Sequence, residues 1–330
     1  MARFLAPSAA TAAVLLSLVG AAARADQPSA PAEPAPPAPA ELVKGAIDAN
    51  ARMSVPVFVN GEGPFRFTID TGADRSVLSR ELADQLHLKA TPSVLVHGVN
   101  GAQLGLLAKV DRLEMGSRKL QNASLPLLAR ADLGSDGILG LDALRDQRVV
   151  IDLDRSLMRL EKSRGIASEP GDIVIKARSR RGQLVMVDSS FGRRPVNVIL
   201  DSGSEATIAN SAFRKLVDSK RRQQAVRAED VVEIYSVTGQ VGHGSRDQAP
   251  QLTLSGMVMR QVPVIYADLH TFQQFGFQDE PTVLLGMDVL RAFRRVDVDF
   301  GRREVRFGFQ RESGTAPTMA LTTGGSTRLR

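Results

Sequence analysis

Residues 55–86 read VPVFVNGEGPFRFTIDTGADRSVLSRELADQL, and residues 185–216 read VMVDSSFGRRPVNVILDSGSEATIANSAFRKL. Each passes through an alternating apolar and polar run, a Gly-containing turn, a second β-like run, an Asp-Thr/Ser-Gly triplet and a short Ala/Leu-rich helical pattern. The order is the same in both. Downstream, Gly137-Ile138-Leu139-Gly140-Leu141-Asp142-Ala143-Leu144 resembles Val283-Leu284-Leu285-Gly286-Met287-Asp288-Val289-Leu290, and each is followed by a strand pattern with alternating acids, VVIDLD at 149–154 and RVDVDF at 295–300. The Asp triplets lie 131 residues apart and the Leu-Gly pairs 146, so the second copy carries 15 more residues between them. Self-similarity at so long a period predicts two copies of one domain.

Within each copy, short Val/Ile/Phe-rich runs alternate with Gly, Asn, Asp and Pro turns, and only 78–86 and 211–219 have helical spacing. Asn60-Gly61, Asn100-Gly101 and Thr238-Gly239 sit between β-like runs, where a tight turn closes a hairpin. The expected fold is all-β, a barrel or sandwich in each copy.

The rest of the chain frames these copies. With 330 residues, 43% hydrophobic and 24% charged, the protein is neither collagen, coiled coil nor wholly disordered, and its length suits one large domain or two. Having no cysteine, it can form no disulfide, thiolate metal site or Cys nucleophile. His87, His97, His243 and His270 never form H-x-H or H-E-x-x-H, so no metal or other cofactor is expected. No G-x-S-x-G occurs, and no histidine has an evident partner for a Ser nucleophile. The basic clusters Arg178-Ser179-Arg180-Arg181 and Lys220-Arg221-Arg222 lack interleaved aromatics and read as solvated faces; with a net charge of only +6, no nucleic-acid partner is expected.

Arg3, the apolar run from Ala9 to Ala23 and the small-x-small Ala23-Arg24-Ala25 predict a signal peptide over 1–25 and a periplasmic or secreted location. That run is shorter than the roughly 20 residues a membrane span requires, and no other is long enough. A Pro/Ala-rich linker follows at 26–44, then lobes at 45–165 and 171–310 and a disordered Gly/Ser/Thr-rich tail at 311–330.

Each triplet places one carboxylate directly after a β run. A single Asp-Ser/Thr-Gly is an ordinary turn in which Asp caps its own backbone; two in the same repeated context point further. Lobes paired about a pseudo-twofold axis would bring Asp70 and Asp201 face to face. Two close carboxylates cannot both ionise cheaply, so they share a proton, and such a pair can act as base toward a water and as acid toward a carbonyl oxygen. By contrast, Asp152, Asp154, Asp297 and Asp299 alternate along strands without the Gly and Glu of a calcium loop, and read as exposed strand-face acids. Asp142 and Asp288 read as helix caps.

On the Asp70-Thr71-Gly72-Ala73-Asp74 and Asp201-Ser202-Gly203 motifs, with Ile138-Leu139-Gly140 and Leu284-Leu285-Gly286, the sequence resembles bacterial retropepsin-like aspartic proteases of the retropepsin and pepsin clan, here with both halves in one chain. The resemblance implies closed β-barrel lobes with a short helix each in a pseudo-twofold arrangement, and a monomer that is an intrachain pseudo-dimer acting on peptide or protein substrates. It implies Asp70 and Asp201 as the catalytic dyad, supported by Thr71, Gly72, Ala73, Ser202, Gly203 and Ser204. Thr71 and Ser202 would hydrogen-bond across the pair. Substrate-binding flaps would carry Asn100 and Gly101 in one copy and Thr238 and Gly239 in the other, while His97 and Tyr235 in the same segments read as incidental. Because Ser204 replaces Ala73, the second loop is expected to gain a hydroxyl donor that makes Asp201 the more readily ionised partner. The alternatives are an inactive peptide-binding or scaffold protein of the same fold, or lobes that each dimerise with another chain.

Overall fold

The computed structural model describes residues 46–47, 53–116, 118–165, 169, 171–181, 183–220, 230–309 and 318–320. The expected signal peptide and linker, and the tail apart from 318–320, lie outside the described residues, as do Arg221 and Arg222.

The structure is mostly β, in two sheets joined by short helices. In the first half, Met53–Val59 turns back on Glu62–Ile69 through Asn60 and Gly61, both in the left-handed region at φ 53° and 90°, as a two-residue hairpin demands. The alternation read from the sequence sets the faces: Val55, Val57 and Val59 are buried while Pro56 and Phe58 point outward. Glu62–Ile69, which ends at Asp70, runs parallel to Gly137–Leu139. Gly137–Leu139 is antiparallel to Val77–Ser79, which runs parallel to Arg118–Leu128. The long hairpin strands Gly101–Met115 and Ala90–Gly98 complete this eight-stranded sheet, and Met53–Val59 pairs also with Gly101–Met115.

The second half repeats that local order. Asn197–Leu200, ending at Asp201, runs parallel to Thr282–Leu285, and the sheet continues through Ile208–Ala209 to Met257–Tyr266 and Val241–Leu254. Helices begin where the sequence supplies a cap: Ser79 Oγ accepts from Leu82 N at 3.1 Å before Arg80–Gln85, and Asn210 Oδ1 from Phe213 N at 3.0 Å before Ser211–Asp218. Leu82, Ala83, Phe213 and Val217 anchor these helices in the core, where a fully buried Leu or Phe contributes about 1.5–3 kcal/mol.

The second sheet crosses the midpoint of the chain. Gln147–Asp152 and Leu157–Lys162, from the first half, add to Arg295–Asp299, which pairs with Glu304–Gly308 and then Ile173–Arg180. On one face Val149, Ile151, Val296, Val298, Val305 and Phe307 enter the same apolar core as Val57 and Leu113. The opposite face holds Arg148, Arg295, Asp297, Asp299, Glu304 and Arg306, all buried. Asp297 and Asp299 are therefore not exposed strand-face acids. Asp297 is bonded to Arg148 and lies 3.3 Å from Arg295 Nε, and Asp299 accepts from Ser163 Oγ at 2.5 Å. Asp297 tolerates burial because the guanidinium groups of Arg148, on the neighbouring strand, and Arg295, on its own, face it, and Asp299 because Ser163 Oγ and Arg302 N donate to it. Only Asp154 of the four is exposed, Asp152 being half-buried.

Candidate active site

Both Asp loops are fixed first by the parallel pairings. Asp70 N donates to Leu139 O and Asp201 N to Leu285 O, each at 3.0 Å. Leu141 N returns to Ala73 O at 2.8 Å and Met287 N to Ser204 O at 2.9 Å, so the Leu-Gly element braces both sides of each loop. Asp142 and Asp288 are not the helix caps expected from the sequence: Gly140 and Gly286 hold the N-cap positions, and each Asp lies in the first turn of its short helix. Asp142 Oδ1 accepts from Ser76 N and Ser76 Oγ as well as Ala143 N; Asp288 holds Thr207 N and Thr207 Oγ1 and also accepts from Val289 N. Each ties the end of its Asp loop to the following short helix.

Across the halves the loops grip one another. Thr71 Oγ1 donates to Leu200 O at 2.9 Å and accepts from Ser202 N at 3.0 Å. Ser202 Oγ donates to Ile69 O at 3.1 Å and accepts from Thr71 N at 3.2 Å. All four bonds are buried, and they form the cross-bonding that the resemblance implies. The loops then approach so closely that only glycine fits beside the opposite carboxylate. A Cβ on Gly203 would meet the Asp70 oxygens at 2.5 and 2.6 Å, and one on Gly72 would meet Asp201 Oδ1 at 2.9 Å.

Asp70 and Asp201 are brought together, with a hydrogen bond between their side chains. Asp70 Oδ1 accepts from Gly72 N at 2.8 Å and Ala73 N at 3.1 Å; Asp201 Oδ1 accepts from Gly203 N at 3.0 Å. Burial, and then the charge of Asp70, push the Asp201 carboxyl up to about 8, against the lowering effect of the Gly203 and Ser204 backbone donors. Two carboxyls this close titrate as one coupled pair, in which the like charge disfavours ionising both. The hydroxyl donor expected from Ser204 is not supplied to Asp201. The Ser204 hydroxyl instead donates to Ala206 O at 2.7 Å, two residues along its own chain, and gives Asp201 nothing.

The hairpins expected as flaps meet at their tips. Ala90–Gly98 and Gly101–Met115 pair with Gly98 opposite Gly101, so the turn is Val99-Asn100, one residue earlier than the sequence reading places it. Asp230–Tyr235 and Val241–Leu254 form the other hairpin, whose turn contains Thr238 and Gly239, the latter at φ 75°. Asn100 Nδ2 donates to Ile234 O at 2.6 Å and Gln240 O at 3.2 Å, and Gln240 Nε2 donates to Ala102 O at 3.3 Å. Gly101 lies against Gln240; Thr238 Oγ1 bonds Ser236 Oγ at 2.7 Å, and the two hydroxyls face Gly98. His97, read as incidental, has a partner: its Nδ1 lies 2.9 Å from His270 Nε2. With ring centroids 5.2 Å apart and planes within 7°, the rings lie edge to edge, joining the first hairpin to the short helix His270–Gln274. Tyr235 Oη donates to Glu233 Oε2 at 2.5 Å on its own strand.

One participant escaped the sequence reading. Gln183, wholly buried at the start of Gln183–Met186, reaches from the second half to the first loop, where its Nε2 donates to Gly72 O at 3.1 Å and Asp74 Oδ1 at 3.0 Å. Burial raises the Asp74 pKa, and the Gln183 bond and Arg75 oppose the shift. A lone Gln before an apolar run carries no motif that would have singled it out.

The candidate site is thus a hydrogen-bonded carboxyl pair, in a structure whose two hairpins are bonded to each other at their tips. No curated protein matches the chain. Residues 55–143, which include Asp70 and Leu139-Gly140 but not Asp201, match the family model described as aspartyl protease.

Proposed function

We propose that the protein is an exported aspartic endopeptidase in which Asp70 and Asp201 hydrolyse peptide bonds. The observation that carries this reading is the hydrogen-bonded Asp70–Asp201 pair held by the reciprocal Thr71 and Ser202 bonds. In the reaction, the Asp70 carboxylate takes a proton from a water held between the carboxyls as the water oxygen attacks the scissile carbonyl carbon. Asp201 gives its proton to the carbonyl oxygen, leaving a neutral gem-diol. As the C–N bond breaks, Asp70 passes its proton to the departing nitrogen and a diol hydroxyl returns one to Asp201. The products are an amine and a carboxylic acid, and the pair regains its single proton.

The remaining features support finer parts of the reading. Hairpin tips bonded to each other suit closure on an extended peptide with exclusion of water. Strand pairings that return from Met53–Val59 through the first sheet to Gly101–Met115 and back to Met53–Val59 support a barrel-like first lobe. The recurrence of loop, Leu-Gly strand and brace in the second half supports a duplicated, pseudo-twofold monomer in which Thr71, Gly72, Ala73, Ser202, Gly203 and Ser204 support the loops and Asn100, Gly101, Thr238 and Gly239 serve the flaps.

The test is to incubate the purified protein with a mixture of extended peptides in ¹⁸O-labelled water and read the products by mass spectrometry. The reading predicts internal cleavage with one ¹⁸O in each new carboxyl group. Peptides bound but never cut, across acid to neutral pH, would favour the binding-protein alternative.

A further inference from the structure

The peptide unit between Gly72 and Ala73 is held from both ends. Its N–H, on Ala73, donates to Asp70 Oδ1 at 3.1 Å, and its carbonyl, on Gly72, accepts from Gln183 Nε2 at 3.1 Å. The chain of bonds runs from Gln183 through one amide plane to the carboxylate. A donor on the carbonyl polarises that amide and strengthens the N–H as a donor on its far side. We propose that Gln183 is a positioning residue that acts through this amide, fixing the orientation of Asp70 and favouring its ionised form. The proposal rests on the reading of Asp70 and Asp201 as the working pair.

Three observations set Gln183 apart from an ordinary core amide. It is fully buried, although glutamine is a costly residue to bury. It reaches across 111 residues of sequence to the Asp70 loop. Its Oε1 has no hydrogen-bond partner among the described residues, so the side chain is held by its donor end alone. A residue serving only packing would be replaced by Leu or Met at less cost.

The ionisable groups around the amide are Asp70, which its N–H bonds, Asp201 across the pair, and Asp74 and Arg75 on the same loop. On the strand before Gln183, Arg180 is occupied by Glu280 and the Gly276 carbonyl. Gln183 itself is neutral, so its effect on Asp70 comes through the hydrogen-bonded amide and not through a charge.

Two readouts on the full chain test this. In an Asp201→Asn background, where Asp70 titrates without its partner, the ¹³C shift of the Asp70 carboxyl carbon is followed against pH with Gln183 present and with Gln183→Leu. The expected result is an upward move of the Asp70 midpoint by about half a unit, the size of one weakened hydrogen bond to a charged group. In the otherwise native enzyme, Gln183→Leu should move the acid limb of the kcat/KM profile upward by a similar amount and lower kcat several-fold, with KM little changed. If Gln183→Leu fails to fold, Gln183→Asn, one methylene too short to reach Gly72 O, replaces it. A midpoint and acid limb both within 0.2 units of the parent would overturn the proposal, even if stability fell. Should the native chain cleave no peptide, the functional reading falls while the carboxyl titration still decides the role of Gln183.

Discussion

Replacing Thr71 by Ala removes one oxygen from the grip between the Asp loops. That oxygen donates to Leu200 O at 2.9 Å and accepts from Ser202 N at 3.0 Å, both in the buried interior. The variant leaves a backbone carbonyl and a backbone N–H without partners, at about 1–3 kcal/mol each, so we expect a loss of about 2–6 kcal/mol. Against a typical total stability of 5–15 kcal/mol this is large. With a urea m-value of about 3 kcal/mol per M, the unfolding midpoint should fall by about 1 M. Thr71→Ser keeps the oxygen and loses one methyl, costing about 1 kcal/mol. Ser202→Ala is its counterpart, since Ser202 Oγ binds Ile69 O and Thr71 N. Because each hydroxyl bonds the other residue's backbone, the double variant should depart from the sum of the singles by about 0.5–3 kcal/mol. Midpoints from urea titrations of the four proteins complete the cycle. A Thr71→Ala loss below 0.5 kcal/mol, or strict additivity, would refute the reasoning.

Three further outcomes follow from the same structure. Gly203→Ala places a methyl within 2.6 Å of both Asp70 oxygens; peptide cleavage should fall at least about 100-fold, because a small misplacement of reacting groups is that costly, and near-native kcat would contradict the geometry. Asp297→Ala strips the buried Arg148 and Arg295 of their shared acid and should cost about 3–5 kcal/mol in urea unfolding. Asp201 has its folded pKa raised above the unfolded value of about 4, so its contribution to stability is full below about pH 4 and is lost as pH rises toward about 8; Asp201→Asn should flatten that decline, and an unchanged slope would show that Asp201 is not the buried acid.

Much of this was readable in the residues. The Asp triplets, the Leu-Gly strands, the Asn60-Gly61 hairpin and both capped helices depend on local patterns, and local patterns are what a single sequence carries. What escaped it depends on contacts between distant segments. Asp297 and Asp299 alternate with valines as surface acids would, and only the addition of Gln147–Asp152 beside Arg295–Asp299 puts Arg148 within reach. Ser204 has the right chemistry to assist Asp201, but its rotamer satisfies Ala206 O. Asn100-Gly101 looks like a turn centre, yet strand register moves the turn back by one residue. Gln183 and the His97–His270 pair join residues more than 100 positions apart, and no periodicity in the sequence marks them.

The central claim is that Asp70 and Asp201 work as one unit. The most direct measurement is kcat/KM for one cleaved peptide with the native protein, Asp70→Asn, Asp201→Asn and the double variant. Residues that act jointly lose their effect together, so the account predicts that each single variant is as inactive as the double, about 1,000-fold or more below the native rate, with unfolding midpoints retained. A single variant that keeps more than about a tenth of the native activity, or losses that multiply in the double variant, would contradict it.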